Sequence, residues 1–63
     1  MSSWPQCVGL SGEEAKQIVE SNDSQLKVQI LKEGTPVTKD LRRDRVRIFV
    51  DDDNVVKRVP RTG

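Results

Sequence analysis

What most limits how this chain can fold is the lack of any covalent or metal staple: Cys7 is the only cysteine, and there is no histidine. One thiol cannot close a loop within its own chain, and a zinc site needs several ligands of the Cys, His or carboxylate type. Small domains usually recruit such a staple, because a chain of about 60 residues buries only about 60% of the surface its unfolded form exposes. The 63 residues are therefore expected to form one domain, residues 1–63, held by a small core and hydrogen bonds, with no metal and no cofactor. A third of the residues are charged and a third hydrophobic, which is too apolar and too nearly neutral for a disordered chain.

Several function classes fall away on the same grounds. Without histidine neither a Ser-His-Asp nor a Cys-His arrangement can be assembled, and the chain is not expected to be an enzyme. The acidic groups Glu13, Glu14 and Asp51 to Asp53 read as solvated helix ends and turns. With 11 basic and 10 acidic residues the net charge is +1, so no bulk field draws the chain to nucleic acid or an anionic membrane. No apolar run of about 20 residues is present, and the first residues show neither a basic stretch nor an apolar signal core. A soluble monomer is expected, its compartment unassigned.

Trp4 is one of only two aromatic residues and reads as core. Gly9 breaks the chain, and Ser11 followed three residues later by Glu14 forms a capping-box pattern that starts a helix. Ala15, Ile18 and Val19 lie on one face of that helix, with Glu13, Lys16, Gln17 and Glu20 on the other. Ser21 to Ser24 compete with helical hydrogen bonds and end it. Residues 26–30 alternate apolar and polar as a half-buried strand, with Leu31 leading out, and residues 45–50 turn continuously apolar as a central strand. Asp51 to Asn54 is a turn by composition, and Val55 to Val59 is expected to form a short last strand before Pro60. The fold class is α+β, with one helix packed on a small mixed sheet.

Between Lys32 and Asp44 neither helical nor strand periodicity holds, leaving a loop of about 12 residues where about 4 to 6 is usual. Thr35, Pro36, Val37 and Thr38 are stiff residues that favour extended backbone, unlike a Gly/Ser linker, so the loop reads as functional. If the flanking strands are parallel, this loop is their crossover. Arg45 and Arg47 are two residues apart on a strand and share a face, from which they can reach one overlying segment, although read alone they are better taken as solvated charges. Cys7 reads first as a small buried hydrophobe, with an exposed thiol that could be oxidised or pair between chains as the alternative.

In order and spacing the chain resembles the potato inhibitor I family of serine-protease inhibitors along its whole length. The matching pieces are Trp4-Pro5 with Val8-Gly9, Gly34-Thr35 with Val37-Thr38, Asp44 to Arg47 with Phe49-Val50, and Val59-Pro60-Arg61 with Gly63. The helix start Glu13-Glu14-Ala15-Lys16 is similar to that of the family's barley members. The resemblance implies a long exposed reactive loop between two parallel strands, with the scissile bond between Lys39 and Asp40. The loop meeting the protease would then comprise Thr35, Pro36, Val37, Thr38, Lys39, Asp40, Leu41 and Arg42, with Arg43 just beyond. It also implies that Arg45 and Arg47 brace the loop, with Asp40, the Thr38 hydroxyl and the terminal carboxylate of Gly63 as acceptors.

Lys39 in that position points to a trypsin-like protease, whose pocket carries a buried carboxylate, and the family implies subtilisin-like enzymes as further targets. Pro36 departs from the hydrophobic side chains often found there in the family; it lacks an N–H for the protease but stiffens the loop. The rival reading is an arginine-rich nucleic-acid-binding module using Arg42, Arg43, Arg45 and Arg47. Against it stand the near-neutral charge, the aspartates at 51 to 53 and the lack of exposed rings for bases.

Overall fold

The computed structural model describes residues 2–63. Its elements follow the order helix α1 (Gly12–Asn22), strand β1 (Lys27–Lys32), strand β2 (Arg45–Val50) and strand β3 (Arg61–Thr62), preceded by a single 3-10 turn at Pro5–Cys7. The sheet order is β1-β2-β3, with β1 parallel to β2 and β3 antiparallel to it.

Helix α1 starts where its cap dictates. The Ser11 Oγ accepts from the Glu14 N–H at 3.1 Å, and the Glu14 carboxylate accepts from the Ser11 N–H at 3.2 Å, satisfying two donors that a helix start leaves free. Ala15 and Val19 are fully buried and Ile18 packs beside them, so the predicted apolar face is the one laid on the sheet. Gly12 sets how closely the helix approaches, since a Cβ there would meet Ile30 Cγ2 at 2.8 Å and Val50 Cγ1 at 3.2 Å. Trp4 and Cys7 complete the core with Val46, Ile48, Val50 and Val56.

Strand β2 is central and covered on both sides, which is why its sequence reads as a nearly unbroken apolar run. Val46, Ile48 and Val50 face the helix and are buried, while Arg45, Arg47 and Phe49 alternate onto the opposite face. β1 is an edge strand whose Val28 and Ile30 are only half-buried, and it runs one residue later than the pattern predicts.

The predicted last strand at 55–59 is not present. The Val56 N–H donates to Leu10 O at 2.8 Å and Val56 O accepts from the Gly9 N–H at 2.8 Å, so both its backbone groups are taken by the segment leading into α1. Only single bridges, Ser11 with Val55 and Val50 with Val56, form there. The chain then passes buried Pro60, whose carbonyl accepts from Trp4 N at 2.9 Å, and pairs beyond it as β3 against Val46 and Arg47. The acidic turn does form: the Asp51 carboxylate accepts from the N–H groups of Asp53 and Val55, and Asn54 takes a φ of 63°.

Cys7 is completely buried, with Sγ 3.9 Å from Ala15 O, and burial raises its thiol above the ordinary pKa. It is a small core hydrophobe rather than an exposed thiol. Among the described residues no helix is long and apolar enough to cross a membrane.

Candidate functional site: a braced loop over the central strand

Residues 33–44 connect the two parallel strands and are exposed throughout. At the upstream root, Gly34 adopts a φ of 87°, which favours glycine, in a turn closed by Thr35 N–H to Lys32 O at 3.0 Å. From Thr35 to Arg42 there is no regular secondary structure. Val37 and Leu41 are large apolar side chains left 42% and 65% exposed, an unfavourable placement unless something covers them in use. Lys39 is exposed and makes no ion pair or hydrogen bond among the described residues.

Beneath this segment, β2 presents its two arginines. Arg47 donates from Nη1 to the Thr38 carbonyl at 3.0 Å and from Nη2 to the Thr38 Oγ1 at 2.8 Å. Its Nε is buried with no partner among the described residues, so the two terminal nitrogens alone orient the side chain. Arg45, only 8% exposed, donates from Nη2 to the Asp40 carbonyl at 2.7 Å and from Nη1 to the Asp40 carboxylate at 3.4 Å. Its Nε donates to the main-chain oxygen of Gly63 at 3.0 Å, which fixes the guanidinium from the other side. The structure thus gathers Thr38, Asp40, Arg45, Arg47 and Gly63 into one cluster, with hydrogen bonds to the residues immediately before and after Lys39. Thr35, Pro36, Val37, Leu41 and Arg43 lie outside it.

Two contacts escaped the sequence. Arg42 Nε donates to the Asp40 carboxylate at 2.9 Å, so Arg42 folds back along its own loop instead of pointing only outward. At the upstream end, Arg58 Nε lies 2.6 Å from the Glu33 carboxylate. The spacing of Arg42 and Asp40 hints at the first, whereas nothing local announces the second, whose partners are 25 residues apart.

The cluster also fixes a charge. The Thr38 hydroxyl and then Arg42 hold the Asp40 carboxyl well below the usual carboxylate range against the opposing effect of burial, and the charge of Arg45 adds a smaller lowering. A depressed carboxylate stabilises the native loop above its unfolded pKa, and that contribution is lost as pH falls through the folded value. We expect the Asp40 carboxyl resonance to stay flat as pH is lowered through about 4, where an unperturbed aspartate titrates. An ordinary titration midpoint there would show that the cluster does not hold the anion.

The four-arginine run does not form a phosphate-facing surface. Arg45 and Arg47 point under the loop, Arg42 is engaged with Asp40, and only Arg43 is exposed without an ion pair among the described residues.

The sequence model of the Potato inhibitor I family matches residues 1–63. The chain belongs to this family. Among potato inhibitor I relatives, the "Inhibitor of trypsin and hageman factor" of Cucurbita maxima is 52% identical over 98% of this chain and 91% of its own length. The "Subtilisin inhibitor CLSI-I" of Canavalia lineata is 42% identical over 98% of this chain and 94% of its own. The crystal structure of bitter gourd trypsin inhibitor superposes with a TM-score of 0.95 at 43% identity, covering 100% of this chain and 93% of that one. This potato inhibitor I fold, one helix on a three-stranded mixed sheet, is thus shared with a solved relative at close range. The family is one of protease inhibitors and not of enzymes.

Proposed function

We propose that this chain inhibits serine proteases in a substrate-like manner, as a single domain and without enzymatic activity of its own, and that its reactive bond is Lys39–Asp40. The observation that carries the reading is the pair of guanidinium groups bonded to Thr38 and Asp40, the two residues that flank Lys39. The relatives support it, being named for inhibition of trypsin and subtilisin.

An extended segment enters a protease cleft much as an added strand does, forming main-chain hydrogen bonds while one side chain fills the specificity pocket. Lys39 is that side chain, and its free, exposed ammonium suits a pocket with a buried carboxylate. A flexible peptide loses conformational entropy on docking, whereas a loop held by Arg45 and Arg47, with Pro36 restricting its backbone further, has already lost much of it. After acylation the new amine of Asp40 remains tethered by Arg45. Its high effective concentration near the acyl group favours resealing over hydrolysis. Trypsin-like enzymes are the first targets, with subtilisin-like enzymes as a second class.

Titration against trypsin, chymotrypsin and subtilisin, followed by mass analysis of the recovered chain, tests this. Stoichiometric inhibition of trypsin with one slow cut after Lys39 is the expected result. A chain that leaves trypsin active, or one cut first at another bond, would sink the proposal.

A further inference from the structure

Arg45, Arg47 and Phe49 form one row on the loop-facing side of β2, and the first two of them hydrogen-bond to the loop. The third position is bridged by a side chain from elsewhere. The Arg58 guanidinium sits over the face of Phe49, with Cζ 3.9 Å from the ring centroid, while its Nε holds the Glu33 carboxylate at 2.6 Å. Glu33 is the first residue of the loop, and its N–H is bonded to Val50 O at 2.8 Å. The closed turn to Thr35 follows at once, and Pro36 removes further freedom beyond it. A ring therefore takes the place of a third guanidinium in the row, and positions a cation carried by the segment before β3.

We propose that Arg58 is a further positioning residue for the loop, clamping its upstream limb to β2 through Glu33 and Phe49. Arg45 and Arg47 hold the chain at Asp40 and Thr38, which leaves the limb from Glu33 to Val37 without a guanidinium of its own; Arg58 supplies one. The planar guanidinium suits this place because its face stacks on the ring while its edge remains free for the carboxylate. Since both charged side chains keep partial access to water, the clamp is modest and sensitive to salt. Its bearing on inhibition rests on the function proposed above, whereas the clamp itself does not.

Amide hydrogen exchange of the free chain, compared with Arg58→Ala at two salt concentrations, separates the two. Exchange at the Glu33 and Thr35 amides is expected to rise about threefold to tenfold in the variant, with the core residues of β2 unchanged. Added salt should accelerate the same two amides in the parent and leave the variant flat. Unchanged exchange at Glu33 and Thr35, or a rise shared equally by the β2 core, overturns the clamp. In a parallel trypsin digest, Lys39–Asp40 should be cut faster in Arg58→Ala by a similar factor. Raised exchange with an unchanged cleavage rate overturns the positioning role. If the parent fails to inhibit trypsin, the proposed function is what fails, and the exchange result still decides the clamp.

Discussion

Replacing Lys39 with alanine is expected to weaken inhibition of trypsin about a thousandfold, the loss of about 4 kcal/mol that a central interface anchor carries. The side chain makes no ion pair or hydrogen bond among the described residues, so its removal is expected to leave the fold unchanged and the effect to fall on the complex. There the protease carboxylate would be left buried without a partner, a larger penalty than the contact itself provides. Lys39→Met or Lys39→Leu should instead move preference toward chymotrypsin-like and subtilisin-like enzymes, whose pockets accept apolar side chains. Inhibition constants for the three enzymes, measured beside an unchanged unfolding midpoint, read the outcome. Trypsin inhibition that survives Lys39→Ala would move the reactive bond elsewhere.

Arg45→Ala is expected to shorten the lifetime of the loop in trypsin about a hundredfold, while Arg47→Ala has a smaller effect. The two arginines differ in which side of the bond they hold. Arg47 binds Thr38, which remains attached to the protease through the acyl group once the bond is cut. Arg45 binds Asp40, whose amine would be the leaving group of a cut at the proposed Lys39–Asp40 bond and would have to stay close for that bond to reseal. Hydrogen bonds to a charged group contribute about 1.5 to 3 kcal/mol each, and the carbonyl contact at 2.7 Å is the shorter of the two that Arg45 makes to Asp40. Arg42, at 2.9 Å from the Asp40 carboxylate, retains part of the tether, so Arg45→Ala combined with Arg42→Ala should be cut faster still. Mass spectra over a digestion time course give the lifetimes directly. Equal lifetimes for parent and Arg45→Ala would show that resealing does not depend on this residue.

Much of the fold was legible because the signals for it are local. The capping box places the start of α1 within one turn, and the spacing of Ala15, Ile18 and Val19 selects the face that packs. The period of two in β2 is enough to set Arg45 and Arg47 side by side on the loop face. The expected last strand fails mainly for a non-local reason: Val55 and Val56 have strand character, but beyond single contacts with Val50 and Asp51 they are taken up by Ser11, Leu10 and Gly9, which no pattern near residue 55 reveals. The same limit hid the contact of Glu33 with Arg58, where a surface pair takes its geometry from a ring on a different strand. Cys7 could be read either way until the packing of Trp4 and α1 around it was known.

β2 serves two tasks with alternate residues, and this constrains how such a chain can vary. Adding or deleting one residue inside the strand would invert its parity, turning guanidinium groups toward the helix and methyl groups toward the bait. Both the interior and the trap would fail together. Substitutions at the tip that spare Thr38 and Asp40, at Thr35 to Val37, Lys39 and Leu41, leave the side-chain contacts of both sets in place. A lineage of such molecules can therefore retune which enzyme it captures by changing side chains on the crest, provided that the strand beneath keeps its count.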